Sequence, residues 1–97
     1  MPVEIATNRG VYRLVLATPL EYQETDVLLT LAMERADGVE RFVTRCRVPV
    51  TLIERGATED LVLDQLKDRF AKDFEAIREA SLKAIRSEQR LHEFVLA

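Results

Sequence analysis

The sequence predicts an α+β two-layer sandwich: a mainly antiparallel sheet, built as a β-meander, packed against one long helix in the C-terminal half and followed by a final strand. Three observations predict it. Residues 3–53 are rich in valine, leucine and threonine in short alternations, residues 58–87 carry apolar side chains at helical spacing, and an Asp37-Gly38 pair sits within the first half. Ninety-seven residues that are 47% apolar and 32% charged, with only three glycines and three prolines, exclude the disordered, collagenous and disulfide-scaffold classes. They are expected to form a single domain, 1–97, with one core.

The first expected strand spans residues 3–7 and turns through Asn8-Arg9-Gly10 into a second over 11–17, VYRLVLA, with Tyr12, Leu14 and Leu16 inward and Arg13 outward. Residues 18–26, TPLEYQETD, read as an acidic connecting loop. Two longer strands, 27–36 and 39–53, flank Asp37-Gly38, the pair favoured by a two-residue type I′ hairpin. If Ala36 faces Val39, residue i pairs with 75 − i. Val27/Val48, Leu29/Cys46, Leu31/Thr44 and Met33/Phe42 then share an apolar face, while Leu28/Arg47, Thr30/Arg45, Ala32/Val43 and Glu34/Arg41 share the other. A slip of one residue would bury arginines and expose Phe42, so the pattern selects its own register. Pro49 makes the end of this strand an edge or a bulge.

Thr58 followed by Glu59 and Asp60 has the form of a helix start, an N-cap with acids in the first turn. Leu63, Leu66, Phe70, Phe74, Ile77, Ser81 and Ala84 then fall on one stripe, flanked by Val62, Ala80 and Ile85, and face the sheet. Asp68/Lys72 and Glu79/Lys83 are spaced as exposed i,i+4 pairs. The chain returns as a last strand over 90–96, expected beside the first main strand and parallel to it through a right-handed crossover.

A helix over 58–87 would extend about 45 Å, against about 30 Å for a nine-residue strand. Either it breaks, near Ser81 or Ser87, or its end packs on a second copy. Leu82 and Ile85 are the candidate contacts for such a homodimer.

A net charge of −3 argues against general adhesion to phosphate backbones or anionic lipid. One cysteine makes no internal bridge, and the opening MPVEIATNRG lacks the basic and apolar regions of a leader; a cytoplasmic protein with no membrane contact is expected.

The arginines at 13, 41, 45 and 47 are the strongest binding candidate, because guanidinium forks make bidentate contacts with carboxylate or phosphate. A solvated face is the plainer explanation. RNA-reading sheets stack bases on exposed aromatics, whereas the outward positions here offer Val11, Val15, Leu28 and Val43, a mixture closer to a protein-contact surface.

Cys46 falls on the core face, as an inert thiol. His92 has no second ligand or triad partner at suitable spacing and reads as a surface or strand-edge histidine. Glu21, Glu24 and Asp26 lack the glycine and ligand spacing of a calcium loop, and Glu59 and Asp60 disfavour phosphate at the helix start. No catalytic residue, cofactor or metal is implied, and no enzymatic role is expected.

The sequence therefore points to a small interaction or assembly module. It is expected to be a homodimer that meets a protein partner through Arg13, Leu28, Arg41, Arg45 and Arg47, or through the helix end. The alternative is a nucleic-acid-binding accessory protein using the same arginines. An enzyme or ligand carrier would need a pocket near Tyr12, Phe70 and Phe74, where core packing is the simpler expectation.

Overall fold

The computed structural model describes residues 3–87 and 93–95. A mostly antiparallel six-stranded sheet carries two helices on one face, as the α+β pattern predicts. The strands are β1 (Val3–Thr7), β2 (Gly10–Leu16), β3 (Glu21–Tyr22), β4 (Asp26–Arg35), β5 (Arg41–Pro49) and β6 (Glu93–Val95); a 3-10 turn (Val50–Leu52) leads to α1 (Glu59–Lys72) and α2 (Phe74–Arg86). The spatial order is β1-β2-β4-β5-β6, with β3 beside β4.

The β4–β5 register is the one the alternation selects, from Asp26↔Pro49 through Leu31↔Thr44 to Glu34↔Arg41. The turn itself differs from a two-residue type I′ loop. The Gly38 amide donates to the Arg35 carbonyl at 2.8 Å and the Arg35 amide donates to Glu40 at 2.9 Å, so four residues, 36–39, lie in the loop. Asp37 is the reason: its carboxylate accepts from the Val39 amide at 2.9 Å and from Arg35 Nε at 2.8 Å, which holds a wider loop while Gly38 takes φ +77°.

The segment expected to be an acidic loop contains β3. Residues 12–16 of β2 pair with β4 as i and 47 − i, whereas Glu21↔Leu28 and Tyr22↔Val27 follow 49 − i. β2 and β3 are thus one interrupted strand along β4, and the two extra residues bulge out around Thr18-Pro19, where proline cannot donate to the ladder. The strand expected over 39–53 runs only from 41 to 49. Its last ladder partner is Pro49, after which the chain tightens into the 3-10 turn.

Thr58 caps α1, its hydroxyl accepting from the Leu61 amide at 3.3 Å. The single long helix is replaced by two, and the break lies at Asp73 rather than at Ser81 or Ser87. Asp73 has φ −101° and ψ 13°, and no i→i−4 bond joins the amides of 74–76 to residues 70–72. Two helices of 14 and 13 residues, each about 20 Å long, lie over β1 and β5 respectively without overrunning the sheet. The Asp73 side chain makes no capping hydrogen bond, but its negative charge suits the start of α2. On α1 an exposed pair forms instead between Asp64 and Lys67, three residues apart, at 2.9 Å; neither expected i,i+4 pair forms among the described residues.

β6 is parallel, as expected, but lies beside β5 at the far edge, pairing Arg45↔Glu93 through Arg47↔Val95, and not beside β2. With α2 already over β5, the chain re-enters the sheet at the nearest open edge, and Phe94 meets Phe70 edge-on at 6.1 Å. The remainder of the strand expected over 90–96 lies outside the described residues, as does His92.

The predicted apolar stripe is the core. Leu63, Leu66, Phe70, Phe74 and Ile77 are buried against Tyr12, Leu14, Leu29, Leu31, Met33 and Phe42, and Ala84 is buried as well. Tyr12 and Phe74 rings lie 4.6 Å apart and Phe42 completes the trio, so the region near Tyr12, Phe70 and Phe74 is packed core, the simpler of the two expectations. The Cys46 thiol is buried there too, and that burial pushes its pKa up to about 12. At the hairpin end, Arg78 of α2 holds Glu40 with two hydrogen bonds, Tyr12 Oη donates to the same carboxylate at 2.8 Å, and Arg9 meets Glu75 at 2.7 Å. Both turns are thereby fastened to α2.

Candidate functional site: the outer face of the sheet

The helices cover one side of the sheet only, and the thinnest dimension of the molecule, 21 Å, accommodates two layers. The side away from them is laid out by the strand registers in rows that run across the strands. One row is Glu4, Arg13, Glu34 and Arg41, on β1, β2, β4 and β5. The next along the strands is Val15, Ala32 and Val43, and on the other side of the charged row lie Ala6 and Val11. Further along come Thr30, Arg45 and Glu93, then Glu21, Leu28, Arg47 and Val95. Val11, Val15 and Val95 are 40%, 47% and 67% exposed, which gives this face apolar surface open to contact.

The sequence placed Arg13, Arg41, Arg45 and Arg47 on this face, and the structure gathers them there. They are not equivalent. Arg13 is paired with Glu34 at 3.5 Å, although the sequence suggested Glu34 would serve Arg41. Arg47 is the most committed, reaching Gln23 at 3.0 Å, Asp26 at 3.4 Å and Glu93 at 3.1 Å. Arg41 is exposed, with no ion pair or hydrogen bond among the described residues. Arg45 is half-buried, and its Nε is shielded from solvent without a hydrogen-bond partner, because its ladder neighbour Glu93 is held by Arg47.

Leu28 requires a correction. It points outward as expected, but it is only 6% exposed and offers a partner little surface; Ala32 is likewise buried. Both sit on the central strand, walled by ladder neighbours on either side, Glu21 and Arg47 in the case of Leu28 and Val15 and Val43 in the case of Ala32. One of those walls comes from β3, the strand the sequence did not disclose.

At the helix end, Leu82 is partly buried against the core, while Ile85 is 52% exposed. The excess helix length that suggested a contact there is absent, because the helix breaks at Asp73.

Glu4 escaped the sequence reading. It is exposed and, like Arg41, makes no ion pair or hydrogen bond among the described residues. The signal was recoverable only by carrying the hairpin register through β2 to β1. A shallow cleft of about 620 Å³ opens where the ends of β1 and β2 meet α1, with Leu14, Leu16 and Leu63 in its lining and Glu59 and Asp60 among the residues around it. The lining includes no basic side chain, so the cleft does not suit an anion. Among the described residues no three His, Cys, Asp or Glu side chains converge to hold a metal ion, and no helix is long and apolar enough to cross a membrane.

No family model, curated protein or solved structure matches the chain.

Proposed function

We propose that the protein is a small cytoplasmic interaction and assembly module that works through the outer face of its sheet. One observation carries this function: a sheet face without a covering layer among the described residues, on which exposed Val11, Val15 and Val95 alternate with arginines that are only partly neutralised. Apolar surface mixed with arginine is the composition of protein contact surfaces. The helix end supports it less well, since Leu82 packs inward. Nucleic-acid binding by the arginines is disfavoured by the internal pairing of Arg13 and Arg47, which leaves few cations to release counterions from phosphates.

The test is the elution size of the tagged chain in gently prepared extracts of its own cells, compared with V11E/V15E and with I85E. The double sheet variant is expected to elute at the size of the free chain, with I85E unchanged. A complex that persists in V11E/V15E, and still more one dissolved only by I85E, would sink the proposal. Loss of complex in a steep, salt-dependent manner together with nuclease sensitivity would move the assignment to nucleic acid.

A further inference from the structure

We infer that the partner this face fits is a second copy of the chain, packed face to face about a twofold axis that runs along the strands between β2 and β4. The inference rests on the interaction function proposed above and names its occupant.

The row Glu4, Arg13, Glu34, Arg41 alternates in sign across four neighbouring strands. Its two inner members pair with each other within the chain at 3.5 Å. Its two end members, Glu4 and Arg41, are exposed and lack any ion pair among the described residues. A twofold along the strands reverses the row in the second copy. Glu4 then faces Arg41 of the second copy, Arg41 faces its Glu4, and Arg13 faces its Glu34, so every charge meets its opposite and both unpaired ends gain a partner. A twofold running across the strands, along the row, would set Glu4 on Glu4 and Arg13 on Arg13. The row therefore selects one packing and opposes the other.

The dimensions permit it. Facing sheets pack about 10 Å apart and cross at about 30°. The row ends lie about 7 Å to either side of the axis. The crossing displaces each end from its counterpart by about 4 Å, which glutamate and arginine side chains span. The row is flanked by Ala6 and Val11 on one side and by Val15, Ala32 and Val43 on the other, so charges and apolar groups both find their own kind of contact. Desolvation takes back much of the Coulomb attraction of buried pairs. The valines accordingly supply the affinity and the charged row supplies the orientation. A stable interface needs about 800 Å² from each partner, and the molecule is 35 × 30 Å in its two larger dimensions.

Sedimentation equilibrium at physiological salt tests this with the wild type, E4R, R41E and the double swap E4R/R41E, circular dichroism confirming that each is folded. The wild type is expected to be a dimer at micromolar concentration. Each single variant sets like charges against each other and is expected to weaken the dimer at least 10-fold, while the double swap returns to within about 3-fold of wild type. A double swap no tighter than the single variants overturns the twofold. A monomeric wild type at about 100 μM overturns the second copy altogether; if V11E/V15E nevertheless dissolves the cellular complex, the interaction function stands with a different partner.

Discussion

Arg78 grips Glu40 in a fork, Nε donating to one carboxylate oxygen and Nη2 to the other, each at 2.7 Å, across 38 residues of sequence. Each side chain is about four-fifths buried, at 20% and 19% exposure. The Arg78 guanidinium, aided by the Tyr12 hydroxyl, holds the Glu40 carboxyl down to about 2 from an ordinary 4.5. A depressed carboxyl contributes stability that is present above its unfolded value and lost below it. Glu40 is therefore expected to stabilise the fold fully above pH 5 and to surrender that contribution as pH falls from about 4.5 to about 2. Urea titrations of wild type and E40Q across that range check it: the wild type should lose stability more steeply, and parallel curves would refute the linkage. At neutral pH, Arg78→Ala should cost about 2–3 kcal/mol, because it leaves a largely buried carboxylate with the tyrosine alone.

The arginines of the outer face should separate by substitution. Arg45→Met removes a buried Nε that has no hydrogen-bond partner, so stability is expected to hold or rise by up to about 1 kcal/mol. Arg47→Met breaks contacts to Gln23, Asp26 and Glu93, which are partly exposed, and should lose about 1 kcal/mol. Chemical denaturation of the two variants measures the difference, and an Arg45→Met variant that is the less stable of the two would contradict the assigned geometry.

Gly38 tests the hairpin turn. No heavy atom lies within 4 Å of where its Cβ would be, so an added methyl group meets no steric obstacle, yet φ is +77°. Gly38→Ala should thus destabilise by about 1 kcal/mol through backbone strain alone. Gly38→Asn should recover part of the loss, since asparagine tolerates that region. Equal stability of the alanine variant and the wild type, measured by thermal melts, would be inconsistent with the turn.

How much of this was legible depended on the range of the signal. Alternation around Asp37-Gly38 was strong enough to set the whole β4–β5 register even though the turn it implied was narrower than the real one, because register is fixed by burying Met33 and Phe42 while turn geometry is fixed by the Asp37 carboxylate. The helical stripe identified the core residues, since burial follows periodicity. It could not reveal the kink at Asp73, where neither glycine nor proline marks the break. β3 was hidden because two residues beside a proline carry too little pattern to read as a strand. The arginines were visible as a group, but which of them were free was not, since Asp26, Glu93 and Glu34 choose their partners through contacts across 21 to 46 residues. Glu4 and the Arg78–Glu40 fork were missed for the same reason: both depend on pairings between segments far apart in the chain.

The central claim is that the outer face of the sheet is the contact surface. A photo-crosslinking side chain placed at Val15, on that face, and separately at Asp68, on the exposed side of α1, tests it in living cells. Adducts are expected from position 15 and not from position 68, and an adduct containing two copies of this chain would also identify the occupant. Adducts from position 68 with none from position 15 would contradict the account.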